Sequence, residues 1–151
     1  KMAAGLTVAR DKLEAAMDRL GLLLAKQGAG AAGREDLRID SLLAPTAANT
    51  GFVELLEQAG PFGAAAPAPR FAFAGTAVTT RRLGGSHLKL SFGDAMGARI
   101  EAIAFGAFDT DLGPALENAG HQHFHLAGRL ELNTWGGRTK VQLRLEDAAR
   151  A

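Results

Sequence analysis

The spacing of apolar residues changes abruptly at Arg70, and this change constrains the fold more than any other feature. Within residues 9–26, apolar residues recur every three or four positions, which is typical of an amphipathic helix. Beyond Arg70, apolar and polar residues alternate, as in residues 87–92, which is typical of strands with one buried face. Three of the five prolines fall within residues 61–69, where they exclude a helix and mark a boundary.

Five strands and one helix are predicted beyond this boundary. The strands are predicted over residues 71–82, 87–92, 99–105, 123–133 and 138–145, and the helix over residues 109–119, between the third and fourth strands. This order is that of the OB fold, a five-stranded antiparallel β-barrel. Because residues 99–105 are apolar on both faces, we expect the third strand to be buried on both sides or bulged. The predicted class is α+β, a barrel preceded by a helical and strand segment.

The part before the barrel is predicted to contain a short strand, a helix, a linker, a second strand and a second helix. These elements are placed at residues 2–8, 9–26, 27–33, 37–42 and 50–58. The predicted domain boundaries are 1–33 for the first segment with its linker, 34–69 for a connector that ends in the Pro-rich loop, and 70–151 for the barrel.

Composition and charge exclude several classes of protein. The chain has no cysteine, which excludes disulfides, thiolate zinc sites and iron–sulfur clusters. Its net charge of +1 gives no global attraction to nucleic acid or to an anionic membrane. Since no apolar run reaches about 18 residues, no membrane span is predicted. We therefore expect a cytoplasmic protein with no membrane partner.

Three candidate catalytic or metal-binding patterns are weak. His121, His123 and His125 alternate, but alternate strand residues lie about 7 Å apart, so a solvated strand face explains them better than a metal site. If Ser86 and His87 both lie in a strand, they point to opposite faces and form no dyad. The glycines of residues 28–33 match a phosphate-binding pattern by letter, but they follow a helix instead of a strand. No catalytic or metal-binding residue is predicted.

A basic and aromatic strand face is the stronger candidate site. An OB fold binds single strands through a positive groove and stacking aromatic side chains, often beside the turn between its last two strands. The alternative is an ordinary solvated face on which Trp135 is packed as a plug. The candidate DNA-binding residues are Arg81, Arg82, His87, Lys89, Arg129, Trp135, Arg138, Lys140 and Arg144.

Several motifs along the chain resemble the C-terminal region of the RecJ family of single-strand-specific exonucleases, in the DHH phosphoesterase superfamily. Residues 2–8 are similar to the end of a motif in the family's DHH-associated domain, and residues 61–71 to its Pro-rich segment. Residues 87–90, 102–105 and 130–143 follow its OB-fold motifs in order. Residues 65–66 are Ala-Ala where the family has Gly-Asn, so no role of that Asn is carried over.

The resemblance implies a parent enzyme that uses Mn²⁺ or Mg²⁺ to cut single-stranded DNA 5′→3′ in recombination and repair. It implies a non-catalytic DNA-binding role for this segment, without a cofactor of its own, because the DHH catalytic domain is not among these residues. The expected partners are single-stranded DNA and that N-terminal catalytic domain, and we expect residues 1–26 either to form a dimer or to fray. The alternative is a protein-interaction module that docks an acidic partner, such as the tail of single-strand-binding protein.

Overall fold

The computed structural model describes residues 7–26, 36–63 and 66–151, with only the backbone for residues 24–26. The chain divides into two compact units, Lys1–Asp36 and Leu37–Ala151, which are described separately. The linker predicted at residues 27–33 lies outside the described residues. So does the strand predicted at residues 2–8, apart from its last two residues, which are not in a strand.

The described part of the first unit is one helix, α1, at Leu13–Lys26, preceded by a 3-10 turn at Arg10–Lys12. This confirms the helix predicted from the apolar spacing. Its apolar residues Leu13 and Met17 are about half exposed. The dimer expected through this segment stays a prediction. No helix among the described residues combines the length and the apolar character needed to cross a membrane.

The second unit is a barrel of five long strands with one short strand at its side. The strands are β1 at Ser41–Leu42, β2 at Phe71–Leu83, β3 at His87–Gly93, β4 at Arg99–Ala104, β5 at His123–Trp135 and β6 at Arg138–Arg150. Strands β2, β3 and β4 form an antiparallel meander, and β5 pairs antiparallel with both β2 and β6. A parallel pairing of β4 with β6 closes the barrel. This topology confirms the predicted OB fold.

Two helices pack on the barrel unit. Helix α2, at Thr50–Gln58, begins at Asn49, whose side-chain oxygen accepts the backbone N–H of Phe52 at 3.0 Å. The Phe52 ring meets Phe71 edge to face, with the ring centres 5.5 Å apart. Helix α3, at Leu112–Glu117, follows a 3-10 turn and lies between β4 and β5, where a helix was predicted.

The barrel interior holds the core, because alternate residues of every long strand point inward. On β3 the inward residues are Leu88, Leu90 and Phe92, as the sequence predicts, and each is at most 2% exposed. The rings of Phe73 on β2 and Phe92 on β3 are 5.0 Å apart at the centre of this core. Burial of these side chains is therefore the main source of stability for the barrel.

Two strand predictions were wrong. The outer face of β4 is not covered: Ile103 is half-buried, and Phe105, just beyond the strand, is 51% exposed. Only the inner residues of β4 are buried, because among the described residues of this unit no second layer covers its outer face. The strand predicted at residues 37–42 is reduced to β1, which pairs with β2 for two residues.

Candidate functional site

A groove of about 460 Å³ lies between the β5–β6 hairpin and the outer face of β3 and β4. Strand register orders the outer face on which the groove lies, since outward residues of neighbouring strands form rows across the barrel. One row joins Arg81 of β2 to Lys89 of β3. Continuing through Ile103 of β4, the same row reaches Arg144 of β6 and Arg129 of β5. The groove is lined by Lys89, Glu101, Asn133, Trp135, Arg138 and Lys140, among others.

Glu101 is an acidic residue in the middle of this basic surface. Its Oε2 lies 2.9 Å from Nζ of Lys89. The hydrogen bond from Lys89 lowers the pKa of Glu101, partial burial opposes this, and the charges of Lys89, Lys140 and Arg81 add to the lowering. The carboxylate is therefore ionised at neutral pH, with three cations around it.

Polar side chains brace the hairpin that forms one wall of the groove. The amide nitrogen of Asn133 donates to Oε1 of Gln142 at 2.7 Å, and the hydroxyls of Thr134 and Thr139 lie 2.8 Å apart. Gln142 lies on the predicted outer face but is only 8% exposed. These cross-strand bonds hold the hairpin tip, where the aromatic and basic side chains of the site are found.

Trp135 is exposed to solvent at the tip of the β5–β6 hairpin. Its side chain is 85% exposed, so the alternative in which it is packed as a plug is wrong. It ends β5 and pairs across the turn with Arg138, while Gly136 and Gly137 occupy the turn with φ values of 58° and 75°. An exposed ring beside an arginine presents a flat surface and a positive charge to a ligand.

Phe105 is a second exposed aromatic residue that the sequence analysis did not identify. The Arg144 guanidinium carbon lies 5.2 Å from its ring centre, and the His87 ring meets it edge to face at 5.4 Å. The sequence signal for Phe105 was the second apolar face of residues 99–105, which is predicted above to be buried. The outer face therefore carries a cation–aromatic contact between Arg144 and Phe105 beyond the end of β4, while Trp135 and Arg138 are strand partners at the hairpin tip.

His87 is held by its surroundings. Its Nδ1 accepts the backbone N–H of Gly106 at 3.0 Å and lies 3.3 Å from Oγ of Ser86. Ser86 and His87 do not share a strand, because Ser86 lies in the turn before β3, so their side chains do not point to opposite faces. A backbone N–H already occupies Nδ1, so this nitrogen is a poor general base for the serine.

The three alternate histidines do not converge. His121 precedes β5, and Nδ1 of His125 accepts the backbone N–H of Gly75 at 3.2 Å. Within the described residues, no group of three or more histidine and acidic side chains is placed to hold a metal ion.

Two predicted site residues are held in ion pairs away from the groove. Arg82 points to the opposite face from Arg81, where it makes two hydrogen bonds to Glu117 and lies 3.7 Å from the centre of the Phe108 ring. Nε of Arg129 lies 2.9 Å from Glu146, without the alignment of a hydrogen bond. The structure thus brings together at the groove Lys89, Trp135, Arg138 and Lys140, with Arg81, His87 and Arg144 on the same outer face.

Comparisons with known proteins agree on one family. A family model described as the RecJ OB domain matches residues 39–147. The chain is 30% identical over 146 residues to the single-stranded-DNA-specific exonuclease RecJ of Dickeya dadantii, and 29% identical over 147 residues to that of Escherichia coli. These alignments cover 96% and 97% of this chain but 25% of each relative, so the chain spans about a quarter of their length.

A solved structure has the same fold. It is the crystal structure of RecJ in complex with Mn²⁺ from Thermus thermophilus, with a TM-score of 0.62 and 21% sequence identity. The match covers 97% of this chain and 20% of that one.

Proposed function

Because the chain belongs to the RecJ OB domain family, we propose that its outer face binds single-stranded DNA for a RecJ-like exonuclease and does not itself cut the strand. The observation that carries this proposal is the groove that joins the exposed Trp135 to Lys89, Arg138 and Lys140. A positive channel beside an exposed aromatic ring is the combination that OB folds use to hold a single strand.

Each part of the surface would contact a different part of the strand. Lys140, Arg138 and Arg144 would neutralise phosphates, which is the sequence-independent term in nucleic-acid binding. Trp135 would stack one base, and Phe105 with Arg144 would offer a second platform further along the face. Such contacts give affinity for a single strand with little preference for its sequence.

The whole enzyme would supply the chemistry. We propose that this domain presents the strand to a catalytic domain that cuts 5′→3′ with Mn²⁺ or Mg²⁺ in recombination and repair, in the cytoplasm. In this proposal the residues of the OB domain would take no part in that metal chemistry. Their contribution is to bind and orient the polyanion.

Binding to labelled oligo-dT should weaken as salt rises, with a slope near −0.7 for each phosphate contacted. Lys140→Gln should lower affinity roughly five-fold and reduce this slope by about 0.7, because one phosphate contact is lost. A fluorescence-anisotropy titration at several salt concentrations measures both quantities. Lys12→Gln, the same change in the first unit, is the control. No binding of the wild-type chain at low salt would refute the proposal.

Arg81 and Arg82 form a matched pair for separating binding from stability. Arg81→Gln should weaken oligonucleotide binding roughly three-fold, since this residue lies on the groove side of β2. Arg82→Gln should leave binding unchanged but lower the free energy of unfolding by roughly 1 kcal/mol, because it loses Glu117 and the Phe108 ring. Urea unfolding and the same titration measure the two effects. If Arg82→Gln weakened binding and Arg81→Gln did not, the oligonucleotide would bind the face of β2 opposite to the groove.

An acidic partner, such as the tail of single-strand-binding protein, is the second candidate, because the cations that attract phosphates also attract carboxylates. We expect an acidic peptide to compete only weakly, since it has no base to stack on Trp135. Tight peptide binding without oligonucleotide binding would favour a protein-interaction role.

A further inference from the structure

Glu101 occupies a position at which a basic DNA-binding groove is expected to be free of negative charge. Its side chain is 43% exposed, and it bonds to Lys89, which is 33% exposed, at 2.9 Å. Glu101 also lines a second groove, which continues past Lys140 to Arg99 and the start of α2. The carboxylate thus lies where the two grooves meet.

A phosphate that approaches Lys89 must share that ammonium with Glu101. The two anions would also repel each other, and at about 4 Å in water this repulsion is worth roughly a five-fold change in affinity. As long as Glu101 is ionised, Lys89 therefore contributes little net attraction to a strand.

We propose that Glu101 competes with DNA phosphates for Lys89. The Lys89–Glu101 ion pair then makes the affinity of the groove for single-stranded DNA lower than its cations alone would make it. This inference rests on the proposed single-strand binding. A strand held in this way is released more readily.

The fold does not need this carboxylate. Glu101 points outward from β4, and its register neighbours are Ser91 of β3 and Gln142 of β6. A half-exposed ion pair of this kind contributes little to stability. Removing the charge should therefore change binding far more than folding.

A double-mutant cycle tests the proposal directly. Glu101→Gln should bind oligo-dT roughly five-fold more tightly than the wild-type chain, because Lys89 is released for a phosphate. Lys89→Gln should bind more weakly, since Glu101 then repels the strand without compensation. The double variant should bind with close to wild-type affinity. Removing one positive and one negative charge leaves the net charge of the groove unchanged.

The salt dependence separates this effect from a change in structure. The binding slope of Glu101→Gln should steepen by about 0.7, because one further cation contacts the strand. Glu57→Gln, the same charge change on α2, should alter neither affinity nor slope. Urea unfolding of each variant shows whether its fold is intact.

The outcomes are distinct. If Glu101→Gln binds no more tightly than the wild-type chain and its slope is unchanged, the competitor role is wrong while the proposed function stands. If neither protein binds oligo-dT at low salt, the proposed function itself fails.

Discussion

Replacing Trp135 by alanine should weaken oligonucleotide binding about ten- to a hundredfold, the largest effect expected for any single side chain of the groove. The ring is 85% exposed at the hairpin tip, so its removal takes away a stacking surface without opening a cavity. Unfolding by urea should therefore be unchanged within about 0.5 kcal/mol.

Intrinsic fluorescence gives a direct measurement, because Trp135 is the only tryptophan and the chain has no tyrosine. Stacking of a base should quench this emission in proportion to binding. Trp135→Phe should keep most of the affinity, and Phe105→Ala should cost less than Trp135→Ala, since that ring is partly covered. If the emission of the wild-type chain is not quenched on binding and Trp135→Ala binds normally, a stacking role is excluded.

Replacing Phe73 by alanine should lower the free energy of unfolding by about 3–5 kcal/mol. The side chain is fully buried and packs on Phe92, so truncation loses apolar burial and leaves a cavity between β2 and β3. This is a large part of the 5–15 kcal/mol or so that stabilises a typical domain, so Phe73→Ala is expected to be largely unfolded at moderate urea concentrations.

Phe73→Leu keeps the test informative if the alanine variant does not fold. It should cost less than Phe73→Ala and retain oligonucleotide binding, because the groove lies on the outer face of the barrel. Chemical unfolding followed by circular dichroism measures both variants. A cost below about 1 kcal/mol for the alanine variant would contradict the role of Phe73 at the centre of the core.

The order of the barrel strands could be predicted because alternation is a local property. The predicted and observed β3 differ by a single residue, since Leu88, Leu90 and Phe92 establish the period by themselves. The length of β6 could not be predicted in this way. It continues to Arg150 because residues beyond Leu145 pair with the first half of β5, although residues 146–150 no longer alternate between apolar and polar.

The individual residues of the site could be predicted from the sequence, but the contacts among them could not. Alternation placed Lys89, Lys140 and Arg144 outward, yet it could not show which cations already have partners. Arg82 pairs with a glutamate of α3, and Glu101 enters the groove from β4, because these contacts join segments far apart in the chain. Phe105 was missed for a related reason, since burial depends on whether another layer covers a strand.

The way in which the barrel closes also governs when it can form. Strand β2 pairs with β5, about fifty residues later in the chain. Strand β4 pairs with β6, the last strand of the domain. Contacts of such long range make folding slow, on a scale of milliseconds to seconds for β-barrels of this size. A ribosome would therefore have to release nearly the whole domain before the barrel could close, and until then the meander of β2, β3 and β4 would expose an apolar face that a chaperone could bind.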